Sequence, residues 1–490
     1  MKNNVFKHPY IPNSSHEVIK EMLTSIGANT IEELYEEIPE ELKFKGTLDF
    51  PDPLVSEVDL EREIKGILKK NENCEDNLNF IGGGTYNHYV PAIVDEIINR
   101  SEFLTAYAGE PYEDHGRFQA LFEYQSLMAE LLDVEVVNIP TFDGAQAAAT
   151  SLRMAERITK RKKILVSDSV SPERMLVINN YCTPALEIEW VHHDKKTGEI
   201  DINDLKNKLS NEIAGFYFEN PSFFGIFQHN PREISRLVHD YQALLIIGVE
   251  PNSLGLFSPP HQYGADIVCG DLQSLGIHMH TGGGLAGFIG TMDDPKFVME
   301  YPSRLFGVAR NEKYGEWGFG DVAYDRTSFA HREKGKEFVG TAAALWGIAA
   351  GVYLALMGPE GLYQLGKTIR EKNYYAATQI SKIKGIKANP NDSLLYREFL
   401  VDFQETGLEV ETINKRLKES GIFGGLDLHK YYLNHLHILP EVLSQWEKEL
   451  NGKCLFCITE NHTKKDIDQL IKALSDIIHT NDQSSEKRGQ

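Results

Sequence analysis

From about residue 80 to residue 357, short apolar runs alternate with stretches of helical period. Lys163-Ile-Leu-Val-Ser, Gly215-Phe-Tyr-Phe-Glu, Leu244-Leu-Ile-Ile-Gly-Val and Ile267-Val-Cys-Gly are bounded by polar residues or glycine. Continuous apolar runs of this length predict strands buried on both faces. Between them, Asn203 to Leu209 and Arg232 to Tyr241 carry helical spacing. Strand and helix in alternation predict crossover units, hence an α/β fold whose mostly parallel sheet is covered on both sides.

The ends of the chain have a different texture. Ser14-Ser15-His16-Glu17 fits a capping box ahead of Val18, Ile19, Met22, Leu23 and Ile26. A second short helix starts at Thr30 and stops at Pro39, and Phe50-Pro-Asp-Pro-Leu is extended. Residues 1–70 hold too few large apolar residues for a core of their own, so they read as a helical arm. Thr341 to Met357 is a nearly uncharged run of 17 residues. That is short of the roughly 20 a membrane span needs, so it reads as a core or interface helix. Gly358-Pro359 stops it. A long helix from Leu362 to Lys384, strands at Arg397 to Phe403 and Cys454 to Thr459, and a last helix from Lys465 to Ile478 then make a smaller α/β domain. The predicted division is therefore an arm at 1–70, a large domain at 71–357, a small domain at 358–480 and a polar, disordered tail at 481–490.

Charge narrows the partners. Against 50 Lys and Arg stand 72 Asp and Glu, a formal net charge of −22. Nucleic acid and anionic membranes call for basic surfaces, so neither is expected as a partner. Five cysteines make no disulfide framework, and the opening Met1-Lys-Asn-Asn-Val-Phe-Lys-His has no apolar signal core. A reducing cytoplasm is the expected compartment.

Candidate chemistry lies at turns and strand ends. Phe142-Asp143-Gly144-Ala145 opens a helix of small residues, and Asp143 can cap it. The same helix start can hold an anion. Glu250 closes the hydrophobic run Leu244 to Val249, and Asp266 to Ser274 follows with Gln273 and Ser274 at its end. No lysine lies between His239 and Lys296. The glycine triplets Gly82–Gly84 and Gly282–Gly284 read either as structural turns or as loops that approach a ligand. Cys454 and Cys457 sit three apart in a predicted strand and face opposite sides, which does not suit a shared metal. His278/His280 and His435/His437 lack an evident third ligand, and no metal is expected.

In the aspartate-aminotransferase fold, the phosphate of pyridoxal phosphate (PLP) sits at a helix start such as Asp143-Gly144-Ala145. An acid such as Glu250 faces its ring nitrogen there, and a lysine follows on the next strand. Ser274 stands at that lysine's place, and a hydroxyl cannot form the internal aldimine. The chain as a whole resembles subunit 1, the α subunit, of the two-subunit glycine decarboxylase, the P-protein of the glycine cleavage system. The resemblance runs from about residue 8 to 478. It is carried by His8-Pro-Tyr-Ile-Pro, Ile26-Gly-Ala-Asn-Thr-Ile-Glu-Glu-Leu-Tyr, Tyr86-Asn-His-Tyr-Val-Pro, Ser101-Glu-Phe-Leu-Thr-Ala-Tyr107, Asn220-Pro-Ser-Phe-Phe-Gly, Gly264-Ala-Asp-Ile-Val, Gln273-Ser-Leu-Gly-Ile and Gly424-Gly-Leu-Asp-Leu.

It implies the PLP-dependent transferase type I fold, with no catalytic residue in this chain and no covalently bound cofactor. It further implies a vestigial pocket at Asp143, Gly144, Ala145, Glu250, Gln273 and Ser274. Substrate or interface contacts are implied at Tyr86, His88, Tyr107, Asn220 and Arg304. The implied partners are a PLP-carrying β subunit, in an α2β2 hetero-oligomer, and the lipoyl H-protein that receives glycine's aminomethyl group. Departures lie at Ala108 to Gly116, at Glu250 where the family has Asp, and at Gly335 to Ala343. They leave two alternatives: a divergent paralogue serving another PLP-dependent amino-acid reaction, or a non-catalytic metabolite-binding scaffold.

Overall fold

The computed structural model describes residues 10–46, 48–104, 115–302, 304–337 and 342–488. The chain divides into two compact units, Met1–Asn71 and Glu72–Gln490. In the first, the helices His16–Ser25 and Glu57–Leu68 start at Ser15 and Ser56, whose hydroxyls accept from the amides of Val18 and Asp59. The predicted helix after Thr30 is a single 3-10 turn, Glu32–Tyr35.

The second unit opens with β1 (Leu78–Asn79). Its main sheet contains β2 (Val136–Val137), β3 (Lys163–Ser167), β4 (Glu187–Val191), β5 (Ile213–Glu219), β6 (Leu244–Gly248), β7 (Ile267–Asp271) and β8 (Gly287–Thr291). The strand order is β2-β8-β7-β6-β5-β3-β4. All neighbours are parallel except β8, which runs antiparallel to both β7 and β2. All seven residues of β5 are buried, as expected of a central strand covered on both faces.

Alternate residues feed two cores. Phe216, Phe218, Leu245, Ile247, Val268 and Phe288 pack on one face. Ala214, Tyr217, Ile246, Ile267, Cys269 and Ile289 pack on the other. The helix Gly144–Thr159 lies against the second face with Ala147, Ala148 and Ala149 fully buried, because small side chains let it approach the sheet closely. On the first face runs Ala344–Ile380, broken at Gly358, whose φ of 57° and ψ of −177° are non-helical. This helix is long and apolar enough by composition to cross a membrane, yet its first half is core here. Gly347 and Gly351 meet Pro140 and Tyr124, and a Cβ on Gly351 would lie 3.3 Å from that of Tyr124.

Beyond the main sheet, β9 (Phe306–Arg310) and β10 (Trp317–Asp321) form an antiparallel hairpin. The remaining strands are β11 (Lys387–Ala388), β12 (Glu398–Asp402), β13 (Ile422–Phe423), β14 (Leu426–Asp427) and β15 (Lys453–Cys457). Four of them make a second sheet, β11-β12-β15-β14, while β13 pairs with β1 in parallel. The last helix runs Lys464–Arg488, through much of the stretch predicted as a tail.

A buried charge cluster joins the strand ends to the C-terminal part of this unit. Asp168 follows β3 and His193 follows β4. The His193 ring stacks on Trp446 at 3.6 Å, with Nδ1 3.1 Å from Asp168 and Nε2 3.2 Å from Glu449. Burial opposes the imidazolium, but the two carboxylates outweigh it and raise its pKa from 6.5 to about 9. A raised cationic pKa contributes stability that is fully present below 6.5 and is lost as pH rises through 9. The expected loss between those values is on the order of 3 kcal/mol. It is read as a fall in melting temperature that His193→Gln abolishes; an equal fall in the variant would place the titration elsewhere.

Candidate functional site

Parallel α/β sheets bind ligands beyond the carboxyl ends of their strands, because the loops there diverge and leave a crevice. A cavity of about 90 Å³ lies there, past β5, β6 and β7. Pro221, Ser222 and Phe223 follow β5, Glu250 follows β6, and Asp271, Gln273 and Ser274 close β7. The first glycine triplet brings Gly83, Gly84 and Tyr86 to the opposite wall, and β12 brings Glu398.

Glu250 is held from several sides. It caps the turn Pro251–Gly255, accepting from the amides of Asn252 at 3.3 Å and Ser253 at 2.9 Å. The Ser274 hydroxyl donates to its Oε1, and the Arg397 guanidinium lies 3.5 Å away. Asn252 fixes the loop by donating to the Ser274 carbonyl at 2.8 Å. Gln273 clamps the glycine-rich segment: its carbonyl accepts from the Tyr86 amide at 3.0 Å, and its amide donates back to the Tyr86 carbonyl at 3.0 Å.

Asp143 is the cap predicted for its helix, accepting from the Gln146 amide at 2.7 Å. One amide of that helix start is taken, because Gly144 donates to Asp271 Oδ2 at 3.1 Å. Burial pushes the Asp271 carboxyl up to about 6, although the amides of Gln273 and Gly144 pull the other way. Asp143, Gly144 and Ala145 do not line the cavity, whereas Asp271, bonded to Gly144, does.

The remaining predicted contacts scatter. Tyr86 lines the cavity and donates to Glu398 Oε2 at 3.0 Å. His88 is buried beside it, with Nε2 2.8 Å from the Ile277 carbonyl, outside the lining. Asn220 bonds the Tyr263 hydroxyl and the Gln228 amide, and faces a separate cavity of about 150 Å³. Arg304 grips Asp321 of β10 and stacks over Phe118, Phe306 and Phe329, again outside this cavity. Tyr107 lies outside the described residues. The second glycine triplet is exposed, and among the described residues no three His, Cys, Asp or Glu side chains gather to hold a metal.

Several wall residues escape a reading of the sequence. Glu219, at the end of β5, pairs with Arg174 and accepts from the Tyr217 hydroxyl at 2.9 Å. Glu398 accepts from the Gly83 amide at 2.6 Å, and burial pushes its carboxyl up to about 7. Glu219, Glu250, Asp271 and Glu398 thus face Arg174 across one small space. No lysine lines it among the described residues. The only available signal was that three successive strands each end on or near an acid.

Comparison with known proteins places this arrangement. Residues 8–474 match the family profile of the glycine cleavage system P-protein. The probable glycine dehydrogenase (decarboxylating) subunit 1 of Staphylothermus marinus is 38% identical, over 96% of this chain and 98% of its own length. A crystal structure of glycine decarboxylase (P-protein) of the glycine cleavage system, in inhibitor-bound form, superposes with a TM-score of 0.80 at 29% identity, covering 94% of this chain and 98% of that one. Sphingosine-1-phosphate lyase of Burkholderia pseudomallei, at 11% identity, has a TM-score of 0.63 over 92% of this chain and 97% of its own, and shares the fold alone. That fold is the PLP-dependent transferase type I fold.

Proposed function

This chain belongs to the glycine cleavage system P-protein family, and from that premise we propose that it is the subunit 1 chain of a glycine decarboxylase. The observation that carries the reading is the family match along residues 8–474. The proposed assembly decarboxylates glycine and passes the aminomethyl group to the lipoyl arm of H-protein. PLP supplies the electron sink for that chemistry.

The residues around this chain's own cavity do not fit the cofactor. Its phosphate would meet the Asp271 carboxylate, which holds the Gly144 amide at the helix start, its ring would meet an acid already bonded by Ser274, and its aldehyde would find no lysine. Four carboxylates would also face the phosphate. This supports placing PLP on a partner chain, subunit 2, with the present chain as the scaffold that completes the assembly and has no activity by itself. We further propose a cytoplasmic heterotetramer, with Tyr107 and Arg304 at the subunit boundary. The division into a large domain at 71–357 and a small domain at 358–480 belongs to the same reading.

Ser274→Lys is expected to leave the lone chain colourless and inactive when incubated with PLP. The new amine would sit beside Glu250 as an ion pair, and nothing would receive the phosphate. Visible absorbance with turnover of glycine in the lone variant would contradict this. The direct test of the proposal is exchange of glycine's carboxyl carbon with bicarbonate, measured on the chain with and without subunit 2.

A further inference from the structure

The cavity of about 150 Å³ that Asn220 faces shares Val249 with the smaller one at Glu250. Its walls are apolar: Val249, Leu254, and the rings of Phe227 and Phe257, whose centres lie 4.4 Å apart. A relay of hydrogen bonds orients the polar side chains set into those walls. The Ile200 amide donates to Gln228 Oε1 at 3.0 Å, which fixes Nε2 as the other end of that side chain. The Gln228 backbone amide donates to Asn220 Oδ1 at 3.1 Å, so it is Asn220 Nδ2 that donates to the Tyr263 hydroxyl oxygen, at 3.2 Å. Tyr263 therefore accepts from Asn220 and keeps its own proton to give. Burial pushes its pKa up to about 12, which holds that proton in place. Gln228 is only 8% exposed. Among the described residues, neither its Nε2 nor the Tyr263 proton finds an acceptor.

The lining defines the ligand. Buried donors without acceptors are costly, so these two call for an acceptor on whatever enters. Among the described residues no charged side chain lines this cavity. A carboxylate or an ammonium would shed its water there and meet no counter-charge, so the ligand is neutral. A space of about 150 Å³ holds one benzene-sized ring, and the two phenylalanine rings favour an aromatic one. We propose that this cavity binds a neutral, single-ring aromatic molecule carrying a carbonyl group. The ring lies against Phe227 and Phe257, and the carbonyl oxygen accepts from Gln228 Nε2 and the Tyr263 hydroxyl. Ser253 and Leu254 of the lining belong to the turn Pro251–Gly255 that Glu250 caps, so an occupant bears on that turn. The site needs neither PLP nor a partner, and it stands apart from the decarboxylase reading.

Calorimetric titration of the purified full chain, without partner or cofactor, tests the proposal. The probes are acetophenone, ethylbenzene and benzoate. Acetophenone is expected to saturate one site. Ethylbenzene keeps the shape but has no acceptor, and is expected to bind at least about tenfold more weakly. Benzoate brings a charge that nothing in the lining balances, and is expected to be at least about tenfold weaker too. Tyr263→Phe removes one donor, and is expected to weaken acetophenone by about fivefold while leaving ethylbenzene unchanged. Should that variant fail to fold, Gln228→Glu takes its place: it keeps the acceptor for the Ile200 amide and loses the donor, and is expected to weaken acetophenone and spare ethylbenzene. Three results would overturn the proposal: no saturable binding of acetophenone, ethylbenzene or benzoate binding as tightly, or a folded variant that binds acetophenone like the parent. An inactive assembly would leave this site untouched, and an empty site would leave the decarboxylase reading untouched.

Discussion

Alanine at Gly287 is expected to lower stability by about 3 kcal/mol, near the upper end of what overpacking costs. Gly287 opens β8 opposite Asp271, and its amide donates to the Thr141 carbonyl at 3.1 Å. A Cβ there would overlap the Asp143 carbonyl and the Thr141 hydroxyl. Both belong to the turn that starts the helix Gly144–Thr159, and the nearer of them, the Asp143 carbonyl, is backbone with no rotamer to escape into. The Asp143 cap and the bond from Gly144 to Asp271 should loosen together. Gly318→Ala is the control, because a Cβ at that exposed β10 position meets nothing within 4 Å; it should stay within about 0.5 kcal/mol of the parent. Chemical denaturation of both variants measures the difference. A Gly287→Ala chain as stable as the control would mean that this turn moves freely.

Arg174→Leu is expected to cost a further large amount, about 3 kcal/mol, by leaving Glu219 in the cavity wall without its cation. The Tyr217 hydroxyl still donates to that carboxylate, but one neutral donor does not replace a guanidinium. Adding Glu219→Gln removes the stranded charge, so the double variant should recover most of the loss. The double-mutant cycle separates the pair from its surroundings. A double variant no more stable than Arg174→Leu alone would show that Arg174 matters for packing and not for charge.

The central strands were legible because burial on both faces leaves only apolar residues to read. Lys163–Ser167 has the predicted bounds, and β5, β6 and β7 differ from prediction by a residue or two. What stayed hidden depended on partners far along the chain. β8 contains glycine at both Gly287 and Gly290, and β1, β2, β11, β13 and β14 are two residues each, too short for any period to show. Gly358-Pro359 was legible as a break, yet the chain continues as helix on both sides of it.

The site divides in the same way. Glu250, Gln273 and Ser274 lie near one another in sequence, after adjacent strands, and they meet. Asp143-Gly144-Ala145 was legible as a helix start, but its occupation by Asp271 was not, since no local pattern says which carboxylate fills an amide. Glu398 reaches the cavity from the second sheet. Tyr86 and Gln273 are 187 positions apart and still exchange two hydrogen bonds. Such pairings are made by the fold, and a single sequence has no period that encodes them. The absence of a lysine between His239 and Lys296 was legible because it needed only the strand order.

The central claim is that this chain serves glycine decarboxylation from a cavity that holds no PLP of its own. Carboxyl exchange between glycine and labelled bicarbonate, measured alongside visible absorbance, tests it most directly. The account predicts a colourless, inactive chain alone and a coloured, active assembly once subunit 2 and lipoyl H-protein are added. Cofactor absorbance and exchange by the chain alone would contradict it.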